Sequence, residues 1–257
     1  FKKLFSLIRN IINMSDKNQI DASKIDKLAI LAVKVGLGLK KGQNLIITAP
    51  IESLPLVRKI TKHAYKEGAG IVTTLFSDPD ITLSRFKYAD DDSFNVAADW
   101  LYKGMGEAFD NNSARLAIAG DDPQLLSEMD PDKVSRANKA NAIAYKPARE
   151  RITRFDINWN IVSWPGKAWA KRVFPNIPDE EAILNLADAI FDASRVSVDD
   201  PIKAWDDHNK TLRLRTDWLN KNNFQYLKYT GPGTNLKIGL ADQHEWMGGA
   251  SVAQNLS

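Results

Sequence analysis

The chain has 257 residues, 44% of them hydrophobic and 26% charged, which is the balance of an ordinary globular protein with enough material for one large domain or one domain and part of another. Its 35 basic and 32 acidic residues leave a net charge of +3, too even to indicate a nucleic-acid or membrane-surface partner, and no apolar run approaches the roughly 18 residues of a membrane span. Cysteine is absent, which removes disulfides and thiolate chemistry and fits a reducing cytoplasm.

Residues 1–13 (FKKLFSLIRNIIN) form a short basic amphipathic stretch without a clear cleavage site, and Met14 opens the polar run SDKNQIDASK. Residues 1–13 are therefore read as extraneous sequence upstream of a start at Met14. A helix follows, capped by Asp21 or Ser23, with Ile25, Leu28, Leu31, Ala32 and Val35 along one stripe. Asn44–Ala49 reads as a buried strand, and Ser53 opens an amphipathic helix carrying Leu56, Val57, Ile60 and Ala64 to a stop at Gly68 and Gly70. The alternation continues through a strand at Ile71–Phe76, a helix over Phe94–Phe109, a strand at Arg115–Ala119, a helix over Asp132–Arg151 and a strand at Ile157–Val162. Four apolar strands separated by helices predict a doubly wound, mainly parallel α/β sheet covered on both faces. Near residue 200 the pattern changes. Asp199-Asp200-Pro201 opens a helix to about Asn220, and Phe224–Tyr229 and Asn235–Leu240 flank the turn GPGT as a β-hairpin. The expected organisation is an α/β domain over 14–198 and, over 199–257, the beginning of a second, catalytic domain that a lone hairpin cannot complete.

Candidate chemistry is sparse. Asp78 and Asp80, and Asp121 and Asp122, follow predicted strands, where such folds bind ligands. Each pair also sits beside a proline at a plausible helix start, and helix capping is the expected role. Of the three histidines, His63 lies beside Lys62 and Lys66 and is expected on a solvated face, and His208 has only sequence-adjacent carboxylates, which do not share a helix face. His244 with Glu245 lacks the second histidine of a zincin motif and is read as structural or cleft-lining. No G-x-G-x-x-G follows the first strand, the GMG at Gly104–Gly106 lacks its third glycine, and neither a P-loop nor a G-x-S-x-G elbow occurs. The aromatic stretch Trp159–Pro175 suits a sugar or peptide platform, with core packing as its default role.

Two stretches carry a family resemblance. INWNIVSWPGKAWAKRVFP (Ile157–Pro175) is similar to a block of the aminopeptidase T/S family, peptidase family M29. Asp200–Ala250 resembles the same family at Asp200, Pro201, Trp205, His208, Leu219, Asn220, Gly231, Pro232, Gly233, Thr234, Leu236, Gly239, Leu240, His244, Trp246, Gly248 and Gly249, and departs from it at Asn235, where the family usually has Asp. The opening KLAILAVKVGLGLKKGQNLIITAP also resembles the family, so the likeness runs from about Lys24 to Asn255. It implies a cytoplasmic, homodimeric, metal-dependent exopeptidase that removes N-terminal residues from peptides with two divalent ions, zinc or cobalt. In the family the metal ligands follow the matched region. No residue here aligns with one, so no catalytic or metal residue is carried over. His244, Trp246, Gly248 and Gly249 remain as substrate-cleft candidates. The resulting expectation is a truncated aminopeptidase, inactive as this chain and exposing apolar surface near the hairpin. The alternative is a non-catalytic binding or interaction module derived from the peptidase.

Overall fold

A computed structural model describes residues 19–256, so residues 1–13 and Met14 lie outside the described residues. Asp21 caps helix α1 (Ala22–Leu31) by accepting the Ser23 and Lys24 amides at 2.8 and 3.3 Å. The hydroxyl of Ser23 adds a further bond, and together these hold the Asp21 carboxyl below the usual aspartate range. The helix continues as a π-helical segment, Ala32–Leu37, ended by Gly38 in the left-handed conformation. This wider turn rotates the apolar stripe. Val33 and Leu37 are buried, and Val35, expected on the stripe, is only half-buried.

The rest of the α/β unit alternates in the expected sense: β1 (Leu45–Pro50), α2 (Leu54–Lys66), β2 (Val72–Ser77), α3 (Pro79–Tyr88), α4 (Asp99–Asp110), β3 (Ala114–Ala119), α5 (Pro131–Thr153), β4 (Trp159–Ser163), α6 (Lys167–Val173) and α7 (Asp179–Ala193). The four strands form one parallel sheet in the order β2-β1-β3-β4. Contacts divide the described residues into two compact units, one running to Asp199 and taking in the segment from Val252 onward, the other Asp200–Ser251. The second unit comprises α8 (Pro201–Asn222) and the antiparallel hairpin β5 (Tyr226–Gly231) and β6 (Thr234–Gly239).

On one face of the sheet, Met105 and Phe109 of α4 and Ala148 and Ile152 of α5 enclose Ile46 and Ile157. Burying Met105 and Phe109 contributes roughly 1.5–3 kcal/mol each. A second cluster joins Ala170 of α6 to Ala182, Leu186 and Ile190 of α7, with Trp169 and Phe174 against it. The aromatic stretch therefore packs: Trp164 is buried and Trp159 leans on the first cluster.

Three expectations are corrected. The helix over Phe94–Phe109 is two elements, a 3-10 turn at Asp91–Asn95 and α4, because Val96 is extended and Phe94 is buried under the Arg85, Lys133 and Arg136 cations. Helices α6 and α7 were hidden behind the tryptophans and prolines of 159–178. Strand β2 is not covered on both faces: Thr73, Thr74, Phe76 and Ser77 are exposed, since β2 is the edge of the sheet.

A polar knot ties the amino ends of the strands. Asn158 donates to the carbonyl of Leu37 (2.8 Å), the last residue of the π turn, and its Oδ1 accepts from Gln43 Nε2 (2.7 Å) and Asn255 Nδ2 (3.0 Å). Gln43 also donates to the Asn112 carbonyl at 3.0 Å. Asn158 and Gln43 are almost fully buried, so each lost partner carries a desolvation cost. Asn158→Ala is expected to lower stability by about 3 kcal/mol, because it orphans the Leu37 carbonyl and takes one partner each from Gln43 and Asn255. A shift in the urea midpoint measures it, and an unchanged midpoint would remove the knot from the account.

Candidate functional site

In a doubly wound sheet the ligand crevice opens where adjacent strands send their chains in opposite directions. Here that place is between the carboxyl ends of β1 and β3. Beside it the exits of β3 and β4 close on each other, and one contact reaches across from the exit of β1. The Trp164 amide bonds the Ala119 carbonyl at 2.7 Å, and the backbones then come so close that a Cβ on Gly120 would sit 2.6 Å from the Trp164 carbonyl oxygen. A Cβ on Gly166 would overlap the Gly120 carbonyl. The amide of Lys167, at the start of α6, donates to Glu52 Oε2 at 3.1 Å.

The strand-end carboxylates are also engaged locally. Asp78 caps α3, accepting the amides of Asp80 and Ile81 at 2.8 and 3.0 Å. Asp80 lies in the first turn of that helix. Asp121 accepts the Ser77 hydroxyl at 3.2 Å. Asp122 departs from expectation. It caps a run of turns rather than a helix, because α5 begins only at Pro131 under the Asp130 cap. The Gln124 amide, with Arg172 at 3.1 Å, holds the Asp122 carboxyl below the usual range.

His63 is a second correction. It is buried, not solvated, and its Nε2 lies 3.1 Å from Asp26 of α1, which Lys59 also approaches at 3.2 Å. The lysines beside His63 in sequence hid the fact that it lies on the inner face of α2. Partial burial pushes the Asp26 carboxyl up, but the His63 and Lys59 hydrogen bonds outweigh it and hold the carboxyl below the usual range.

In the second unit, the Asn209, Leu212, Thr216 and Asn220 side chains of α8 make one stripe at helical spacing, and the segment 244–250 lies along it. Asn220 grips the Trp246 backbone at both ends, accepting its N–H at 2.7 Å and donating to its carbonyl at 3.0 Å. Asn209 accepts the Ala250 amide at 3.3 Å. A Cβ on Gly248 would sit 3.0 Å from the Thr216 methyl, and Gly249 has φ +82°. Both glycines are accounted for by this docking. His244 bonds the Ala241 carbonyl through Nδ1 at 2.8 Å and stands edge-on to Trp246, with ring centres 6.0 Å apart. His208 sits edge-on to Trp205. The four cleft candidates thus share one loop, and Asn209 and Asn220 are the residues that hold it. Asn220 already stood within the family pattern, whereas nothing local in the sequence pairs Asn209 with Ala250.

Among the described residues, no group of three or more His, Cys, Asp or Glu side chains is placed to hold a metal ion. One histidine–carboxylate pair, Asp26 with His63, has a lysine as its third member. These residues do not fit a metal centre.

Residues 21–256 match the family described as thermophilic metalloprotease (M29). The chain belongs to peptidase family M29. It is 46% identical over 237 residues to aminopeptidase T of Thermus thermophilus and 39% identical over 232 residues to aminopeptidase 2 of Geobacillus stearothermophilus, covering 91% and 90% of this chain. The solved structure of wild-type AmpT from Thermus thermophilus superposes with a TM-score of 0.86 at 45% identity over 91% of this chain and 57% of that one. The chain spans 58% and 56% of the length of the two aminopeptidases. The mixed architecture, a parallel sheet with a separate antiparallel hairpin, is the one expected from the sequence. No helix among the described residues is long and apolar enough to cross a membrane.

Two outcomes follow from these contacts. Asn220→Ala is expected to speed amide exchange at Trp246 on the order of tenfold, with the α/β sheet unaffected. Hydrogen exchange read by mass spectrometry over 244–250 measures this, and unchanged protection would mean that Asn220 does not hold the loop. The Asp26 carboxyl is depressed in the folded state, so its contribution to stability is complete above the ordinary aspartate value of about 4 and is lost as pH falls through the lower folded value. Asp26→Asn should therefore lower the urea midpoint at pH 7, and the gap to the parent should narrow steadily as the pH is taken from 4 down through the depressed folded value. A gap that persists there would contradict the assignment.

Proposed function

We propose that this chain is the α/β portion, with the start of the following domain, of a metal-dependent aminopeptidase that releases N-terminal residues from peptides. In this reading the two divalent ions, zinc or cobalt, are held by side chains outside residues 19–256, and the described residues alone do not hydrolyse peptides. One combination of observations carries the reading: 39–46% identity to two aminopeptidases over nine-tenths of the chain, together with described residues that bring no three metal-ligating side chains together.

The α/β unit acts as scaffold and wall, with the exits of β3 and β4 pressed together at Gly120, Trp164 and Gly166. His244 and Trp246, presented by α8, are the part of this chain offered to a substrate cleft, with Gly248 and Gly249 letting the loop lie flat on the helix. The hairpin fits the same picture. Leu227 with Ile238, and Tyr229 with Leu236, form cross-strand pairs on one face, and Tyr229, Leu236 and Ile238 are exposed. Such a face is suited to cover by further protein. In this reading the protein acts as a cytoplasmic homodimer, as the family resemblance implies.

The test is hydrolysis of leucine p-nitroanilide by the purified 257-residue chain with added Zn²⁺ or Co²⁺. The expected result is no turnover above the metal-only blank. Metal-dependent turnover that survives repurification would overturn the claim that the described residues are catalytically incomplete.

A further inference from the structure

His244 is held by its own turn. The Ala241 carbonyl accepts twice from this residue, from the backbone N–H at 3.3 Å and from Nδ1 at 2.8 Å, across a turn in which Gln243 adopts φ +61°. A carbonyl oxygen only accepts, so Nδ1 carries the proton and the neutral ring presents a lone pair at Nε2. That nitrogen has no partner among the described residues and is not sealed from solvent. Trp246 stands at 90° to the ring, and its backbone is gripped by Asn220. The loop therefore fixes where Nε2 points.

We infer that His244 Nε2 accepts a hydrogen bond from the terminal ammonium of a peptide, with Asp242 and Glu245 attracting the charge and Trp246 and Met247 offering apolar surface to the first side chain. The inference rests on the aminopeptidase reading above and gives this loop its part in it, recognition of a free amino terminus. The charge of the loop favours such a ligand. Asp242 and Glu245 flank His244, both are exposed, and neither has an ion-pair partner among the described residues. On α8, by contrast, Asp206 and Asp207 are neutralised by Lys210 and Lys203. An acceptor between two unpaired carboxylates disfavours an anion and strengthens a bond from a charged donor. The apolar part is the half-buried Trp246 and the exposed Met247.

An Nδ1–H bonded to a backbone carbonyl is also how a metal-binding imidazole is oriented. The described residues argue against that use here, because they bring no two further His, Cys, Asp or Glu side chains into reach of the ring. A lone nitrogen with carboxylates beside it in the chain is a hydrogen-bond acceptor for a cationic donor, and a peptide amino terminus is such a donor.

The full 257-residue chain has three histidines, so nitrogen–proton correlation NMR resolves each imidazole. In the free chain at pH 7, His244 is expected as the Nδ1–H tautomer. Leucinamide should shift its Nε2 resonance saturably, with a dissociation constant on the order of millimolar, and leave buried His63 unmoved. N-acetyl-leucinamide keeps the side chain but has no ammonium, and should bind at least about tenfold more weakly. The peptide Leu-Gly-Gly should match leucinamide, whereas free leucine, whose carboxylate meets Asp242 and Glu245, should be several-fold weaker. His244→Asn can still donate to the Ala241 carbonyl but offers no acceptor at Nε2. Followed at the Trp246 indole resonance, it should weaken leucinamide about tenfold, with exchange protection over 244–250 unchanged. An Nε2–H tautomer, or acetylated and free amines that bind alike, overturns the inference. Free leucine binding more tightly than Leu-Gly-Gly overturns its assignment to peptides. No response to leucinamide up to about 50 mM overturns the inference and leaves the aminopeptidase reading standing, since turnover tests that reading separately.

Discussion

The arrangement of the α/β unit depends on a tight backbone contact where its strands end. Where β1 and β3 part, a fold of this type normally keeps an open crevice lined by backbone amides. Here Gly120 and Gly166 let the exits of β3 and β4 press together, and Glu52 takes up the first amide of α6. The strand exits are thereby tied to one another and to the start of α6.

The other end of the same strands is held by hydrogen bonds rather than by steric fit. Asn158 and Gln43 join the π turn after α1, the entry to β1, the loop before β3 and the returning segment at Asn255. Buried amides satisfied in this way cost little while intact and much when one member is lost. They also explain why Val252–Ser257 belongs with the first unit although it follows the second in sequence. The second unit is organised on a smaller scale, by asparagines of α8 that bind a loop through its backbone and leave His244 and Trp246 to be presented.

Much of this was legible in the residues. Strand runs such as NLIITA and RLAIA are apolar over a length that only a buried strand accommodates, and the hairpin announces itself through GPGT. Asp78 beside Pro79 reads as a cap and is one. The failures share a cause, which is dependence on residues distant in sequence. His63 sits among lysines, and its partner Asp26 lies on another helix. Asp122 has the proline of a helix start but finds Arg172 and a turn instead. The wider π turn that buries Val33 and leaves Val35 half-buried depends on Asn158, 121 residues beyond Leu37. The cleft candidates were recognisable as a pattern, while their arrangement depends on Asn209 and Asn220, whose role emerges only once α8 and the loop are side by side.

The central claim is that the described residues of this M29 chain build scaffold and presenting loop but no metal centre. Elemental analysis of the purified chain, equilibrated with Zn²⁺ or Co²⁺ and freed of unbound ion, tests it most directly. The account predicts substoichiometric metal that a weak chelator removes without change in the unfolding midpoint. Retention of about two ions per chain, with a midpoint that falls on chelation, would contradict it.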